Sequence, residues 1–385
     1  MDTKKLLGLD KYFGPIVCAF LNIPKIFKKK RKLESYQNVL ILKMTGLGDV
    51  ILALPIIREL KKRGKKVFFL CSKGNAAVAK YQPDIDEVII FEMKNEWMPH
   101  KFFPFISMLK KKKIDVCIDL TQSSYAPTII GNMSGAKKRI GFYNKSRKLK
   151  NSLYTDTIPY NNNQHIVLSF FDLLKPLNIK KPNKMELFKP RYTSKDMRFI
   201  NNFLKKNKLA GKKLIGAHVS GPIPSRRWPL EKWAKVMDYM INKGYTIIGT
   251  GAPQENEIIS KVHSLISQDK NKFINTAGKF SLHQLFALMT KFRFFLANDG
   301  GPLHIATATG LPVLGIFGPE TPIRYAPFNK KSFAIYKGHE LKCSPCTKPY
   351  LGEWPDCKRP ICLDLISVEE VIEAIKLIEK NAKKK

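Results

Sequence analysis

From Asn38 onward the chain alternates short apolar runs with amphipathic stretches, and it does so twice, with a polar, proline-bearing break between the two series. The runs Val39–Lys43, Val67–Cys71, Glu87–Phe91, Val116–Leu120 and Arg139–Phe142 have strand length. Asp49–Arg63 and Phe102–Lys112 repeat at helical period, and His165–Leu177 reads as a closing helix. Asn178–Ser194 is polar, holds two prolines and has no period. The alternation then restarts, with strands expected at Leu214–Val219, Thr246–Thr250, Phe294–Ala297 and Val313–Phe317. Helices are expected at Pro229–Lys243, Pro253–Ser267, Ser281–Thr290 and Pro302–Thr309. Strands that alternate with helices form parallel sheets covered on both faces. The expected fold class is therefore α/β, two Rossmann-like doubly wound domains facing a central cleft, because open α/β sheets bind ligands beyond the carboxyl ends of their strands. The expected division is a basic amphipathic segment over 1–35, an N-terminal domain over 36–180, a linker over 181–194 and a C-terminal domain over 195–385. The last includes a cysteine-rich loop, 343–362, and a C-terminal helix.

Charge narrows the partners. The chain's 385 residues hold 68 Lys and Arg against 31 Asp and Glu, a net +37. That balance suits an anionic partner, whether phosphorylated substrate, acidic lipid or nucleic acid, or else a lysine-rich solvated surface. Residues 1–35 carry nine Lys and Arg against three acids, beside apolar residues from Leu6 to Leu21 at roughly helical spacing. Such a segment either lies in the interface of an anionic membrane or packs as a helix on the domain behind it. Pro15 is expected to kink or break that helix. No apolar run reaches the ~18 residues of a spanning helix, and the N-terminus does not read as a signal peptide. Seven cysteines are not a secreted disulfide framework, so a cytoplasmic protein is the expectation.

Three strand-to-helix turns carry chemistry. In Lys43-Met-Thr45-Gly46-Leu-Gly48-Asp49 the glycines permit close ligand approach, and Asp49 faces the expected cleft as an acid or serves as a helix cap. This turn is neither G-x-G-x-x-G nor a Walker loop. In His218-Val-Ser220-Gly-Pro-Ile-Pro-Ser-Arg226-Arg227-Trp228, adjacent arginines offer bidentate donors to a phosphate or diphosphate. In Asn298-Asp299-Gly300-Gly301-Pro302-Leu-His304, a double glycine and a proline open a helix, whose exposed N–H groups form an anion site that His304 can join. Separately, Cys343, Cys346, Cys357 and Cys362 fall within twenty residues. One structural zinc, a disulfide pair and inert thiols all remain open readings.

In this order and spacing the stretches ILKMTGLGDVILALPIIREL, HVSGPIPSRRWPLEKWA, GTGAPQENE and LANDGGPLHIATATGLPVLGIFGPETPIRYAPF resemble glycosyltransferase family 9, the ADP-heptose:lipopolysaccharide heptosyltransferases. The resemblance implies a GT-B architecture, with the acceptor held mainly by the first domain and the nucleotide-sugar by the second. It also implies inverting transfer without a catalytic metal. Asp49 falls on the family's general base, Thr45 on a small hydroxyl residue beside the donor phosphates and Arg226 on the family's phosphate-binding lysine. Gly46 and Ser220 are expected to bind substrate as well. Asp299, Gly300, Gly301 and His304 fall on the donor turn, and Glu255 falls near the nucleoside. Two positions depart from the pattern: the family usually carries Ser or Thr where Gly300 stands, and Lys where Arg226 stands. Implied partners are an ADP-sugar, a lipid-linked anionic saccharide acceptor and the anionic inner face of the cytoplasmic membrane. No catalytic cofactor is expected. The competing readings are another nucleotide-sugar enzyme of the same architecture, such as an epimerase, and a nucleic-acid binder. The chain shows no recognisable nucleic-acid-binding signature.

Overall fold

A computed structural model describes residues 3–22, 35–92, 96–187, 189–221, 223–348 and 357–382. The chain forms two compact units that divide at Met185/Glu186. The first holds β1 (Asn38–Leu42), β2 (Lys66–Cys71), β3 (Glu87–Ile90), β4 (Val116–Asp119), β5 (Lys138–Tyr143) and β6 (Asp156–Pro159). The second holds β7 (Leu214–His218), β8 (Thr246–Gly249), β9 (Phe273–Asn275), β10 (Phe295–Asn298), β11 (Val313–Phe317) and β12 (Phe333–Tyr336).

Each unit contains a six-stranded sheet, in order β3-β2-β1-β4-β5-β6 and β12-β11-β10-β7-β8-β9. Read from the other edge, the second is β9-β8-β7-β10-β11-β12, so the two units share one topology. All strand pairs are parallel, with Leu42 opposite Asp119 and His218 opposite Ala297 at the central seams. In both sheets the strand order reverses between the two central strands, the place where open α/β sheets bind ligands. The central strands are apolar on both faces because helices cover both, and β1, β7, β10 and β11 are almost wholly buried. Three edge strands, β6, β9 and β12, were not expected. They have only three or four residues, and β6 and β12 are half-exposed, so no apolar run marks them.

Local chemistry explains the helix limits. Thr193 and Ser281 begin helices Ser194–Lys206 and Leu282–Met289 with reciprocal capping boxes to Asp196 and Gln284. The expected closing helix is instead two pieces, Ile166–Asp172 and a short 3-10 turn at Lys175–Leu177 that contains Pro176. The second unit's core centres on the buried Trp228 and Trp233, packed edge to face with ring centroids 5.3 Å apart.

Of the kink or break expected at Pro15, the break does not occur: the N-terminal helix Thr3–Asn22 runs through it. The carbonyl that a proline leaves without a helical donor belongs here to Lys11, an exposed residue whose carbonyl water can serve. The helix is packed on the first unit, with Cys18 in that unit's core. The cluster Lys28–Lys32 lies outside the described residues. Among the described residues no helix is long and apolar enough to cross a membrane.

Candidate active site

In the first unit β1 runs into a turn that forces its own residue types. Gly46 has φ +88°, and a Cβ there would lie 2.6 Å from Asp49 Oδ2, so both backbone and space demand glycine. The following helix starts at Leu47 with Gly46 as its cap, which puts Asp49 inside the first turn. Asp49 is therefore not the N-cap. Its Oδ2 lies 2.7 Å from Lys43 Nζ, and both side chains are largely buried. Thr45 stands exposed on the same turn.

Beside it the loop after β4 encloses a polar cluster that the sequence did not reveal. Lys150 is fully buried and donates from Nζ to the carbonyls of Thr121 (2.7 Å) and Gln122 (3.1 Å). Asp119 accepts from Thr128 Oγ1 at 2.8 Å, from Tyr154 OH at 2.7 Å and from the Thr121 N–H at 2.7 Å. Lys150 Nζ stands 3.8 Å from Asp119 Oδ2. Burial lowers the Lys150 pKa against the pull of Asp119, and it raises that of Tyr154. Lys150 sits in a stretch, KSRKLKN, whose composition reads as surface, so nothing local could have singled it out.

In the second unit the loops after β7 and β10 are tied together. Asn298 Nδ2 donates to the carbonyls of Val219 (2.9 Å) and Ser220 (3.2 Å), while its Oδ1 accepts from the Trp228 N–H at 3.1 Å. The two adjacent arginines diverge. Arg227 Nε holds the Gly221 carbonyl at 2.7 Å, whereas Arg226 Nη1 reaches Asp299 Oδ2 at 2.9 Å. Two residues expected in one site, 73 positions apart in sequence, thus meet. Helix Gly301–Ala308 follows, with His304 buried beside the Tyr325 ring. Gly300 has φ 169°, an extended backbone open to any residue, and a Cβ there would meet nothing closer than 3.9 Å. The Ser220 hydroxyl is buried without a partner among the described residues.

Glu255 accepts from the Ala252 N–H at 2.7 Å through Oε2, and its Oε1 lies 3.7 Å from His218 Nε2. A carbonyl oxygen can only accept, so the 3.0 Å contact of His218 Nδ1 with Thr250 O places the ring's proton on Nδ1. Burial lowers the His218 pKa against the pull of Glu255. Two further groups escaped the sequence reading. Glu320 and Arg324 form a buried pair, with Arg324 Nη2 2.6 Å from Glu320 Oε1. Burial, aided by the charge of Asp299, pushes Glu320 up to about 7. Their stretch, GPETPIRY, carries no chemical signature on its own.

Cys343, Cys346, Cys357 and Cys362 are free thiols. Burial pushes Cys362 up to about 11, and it raises Cys346, which also feels the Cys343 thiol. Among the described residues no three His, Cys, Asp or Glu side chains form a group able to hold a metal ion. Of the three readings left open for these cysteines, a zinc set is not assembled among the described residues.

Residues 103–350 match the family model described as glycosyltransferase family 9 (heptosyltransferase). The chain is 26% identical over 304 residues to a lipopolysaccharide core heptosyltransferase, OpsX, of Haemophilus influenzae, covering 77% of this chain and 83% of that protein. It is 24% identical over 335 residues to a lipooligosaccharide heptosyltransferase 2 of Campylobacter jejuni, covering 86% and 96%. Among solved structures, a glycosyl transferase family 9 protein of Veillonella parvula superposes with a TM-score of 0.75 at 22% identity, covering 91% of this chain and all of that one. The ADP-heptose lipopolysaccharide heptosyltransferase II of Escherichia coli gives 0.71 at 17% identity, covering 89% and 99%.

Proposed function

The chain belongs to glycosyltransferase family 9 and is a glycosyltransferase, and we propose that it moves a heptose from ADP-heptose to the core of a lipopolysaccharide. Relatives named for this activity align over most of their own length. The observation that carries the reading is the Arg226–Asp299 pair at the start of helix Gly301–Ala308. A guanidinium has five N–H donors, so its bond to Asp299 orients it without exhausting it. Arg226, the N–H groups of Gly300 and Gly301, and His304 stabilise the departing diphosphate. Ser220 and Thr45 supply hydroxyls to the phosphates, Gly46 lets the donor approach the backbone, and Glu255 with His218 takes the nucleoside.

The second unit binds the donor mainly and the first the acceptor mainly. An acceptor hydroxyl attacks the anomeric carbon from the face opposite the diphosphate. The new carbon–oxygen bond forms as the old one breaks, and the diphosphate leaves with its electron pair. Asp49 takes the hydroxyl proton as general base, held in place by Lys43. Protein cations do the neutralising, so no metal is required, and the single displacement from the opposite face inverts configuration. The acceptor is a lipid-linked anionic saccharide at the inner, cytoplasmic face of the membrane.

The test is incubation of the purified protein with ADP-heptose and a deacylated lipopolysaccharide core, with and without a chelator. Transfer with inverted anomeric configuration, unchanged by the chelator, is the expected result. Turnover with UDP- or GDP-sugars alone would refute the donor assignment.

A further inference from the structure

The N-terminal helix Thr3–Asn22 is held along one stripe only. Asp10 accepts from the N–H groups of Tyr125 (2.9 Å) and Ala126 (2.8 Å), where helix Ala126–Met133 begins. Gly14 is buried so close to Tyr125 that a Cβ would lie 2.5 Å from its side chain. Cys18 is fully buried, and Asn22 Nδ2 donates to the carbonyl of Leu149 at 3.4 Å. Positions 10, 14, 18 and 22 repeat every four residues, which places them on one helical face. The other face is apolar and uncovered. Tyr12 is 75% exposed, Phe13 60%, Ile16 53% and Phe20 68%, with Val17 beside them. Leu149, on the neighbouring short helix Lys148–Asn151, is exposed as well.

Among the described residues of this helix and of helix Lys148–Asn151, the exposed charges are positive, Lys11 and Lys148. The helix's single acid, Asp10, is spent on the two N–H groups. A second copy of a chain carrying +37 would repel at such a face. An anionic bilayer complements both features, since aromatic and aliphatic side chains enter the headgroup boundary while lysines meet lipid phosphates.

We propose that this face of the first unit docks on an anionic lipid surface, with the stripe Asp10–Gly14–Cys18 fixing the helix so that Tyr12, Phe13, Ile16 and Phe20 point into the bilayer. The inference rests on the reading that the acceptor is lipid-linked. Because the docking assay contains no sugar, the two can fail separately.

The experiment floats the full chain on vesicles of phosphatidylcholine with and without phosphatidylglycerol, at low and high salt. It compares wild type with Phe13→Gln/Phe20→Gln and with Lys11→Gln/Lys148→Gln. Wild type is expected to float only with the anionic vesicles and to be released by salt. The aromatic variant is expected to lose binding while its melting temperature and its transfer to a soluble deacylated acceptor stay unchanged. Each lysine removed weakens binding by roughly fivefold. Flotation of the aromatic variant equal to wild type would overturn the proposal. So would equal binding to neutral vesicles, or a wild-type dimer that the aromatic variant dissolves.

Discussion

The two units share a strand order and place their chemistry at the same point of it, yet they handle charge differently there. At the β1/β4 seam the acid of interest, Asp49, is paired with a lysine six residues away on its own strand-turn, at 2.7 Å. A second pair, Lys150 and Asp119, is sealed below the neighbouring loop. At the equivalent β7/β10 seam the cation Arg226 and its partner Asp299 come from different loops, and another acid, Glu320, lies buried behind them. In the proposed function one seam keeps a carboxylate for proton transfer, and the other gathers donors of backbone and side chain for an anion. Shared topology fixes where ligands approach, and the residues on each turn decide which charge they meet.

The comparison breaks first at Asp49. Asp49→Asn is expected to lower kcat by roughly 10²–10⁴-fold while ADP binding, measured by calorimetry, stays within a few-fold of wild type. A variant that keeps full turnover would leave the first seam without its catalytic role. Next is Lys150→Met, which leaves Asp119 buried and uncompensated. It should cost about 3–5 kcal/mol of stability in denaturant unfolding, whereas a surface lysine would cost almost nothing.

At the second seam Arg226→Ala should slow transfer by roughly 10²–10³-fold and weaken ADP binding. Arg227→Ala, which frees the Gly221 carbonyl and removes a charge that Glu255 feels, should do less on both counts. Equal effects would mean that the two arginines share the phosphate.

Glu320 gives the second seam a pH dependence. Its pKa is raised from 4.5 to about 7, so the folded chain holds a proton that the unfolded chain has lost between those values. Its contribution is present below about 4.5 and is lost as pH rises through about 7. Glu320→Gln should flatten the fall in denaturant midpoint across that window, and an unchanged slope would assign the dependence to other groups.

The smallest effects separate the two glycine turns. Gly46→Ala places a Cβ against Asp49 at φ +88°, and a left-handed alanine costs about 1–2 kcal/mol. Gly300→Ser enters open space on an extended backbone. It should change the unfolding midpoint by less than about 0.5 kcal/mol, and a serine hydroxyl there should hold ADP as tightly as wild type or tighter.

Much of this was legible in the sequence because it is local. The turn Thr45–Asp49 announces itself through glycine spacing, and Asn298–His304 through a strand, a double glycine, a proline and a histidine. The sequence left Asp49 either an acid facing the cleft or a helix cap. The cap is Gly46 instead, because its positive φ starts the helix earlier and Lys43 takes the carboxylate. Pro15 was expected to kink or break its helix, yet the helix runs on through it with the stripe of Asp10, Gly14 and Cys18 docked on the first unit. The four cysteines lie close in sequence, and that proximity did not make them a metal site among the described residues.

By itself the sequence determined the periods of its strands and helices, the break between two α/β halves, and the glycine that Asp49 requires at position 46. These depend on backbone conformation and on apolar burial, which neighbouring residues settle among themselves. Only the tertiary structure decided which charges meet. It buried Lys150 with Asp119, turned Arg226 to Asp299 and Arg227 to a carbonyl, and set His218 against Glu255. A charge taken out of water must find its partner wherever the fold brings one within reach. That distance is set by sheet topology, and no run of neighbouring residues records it.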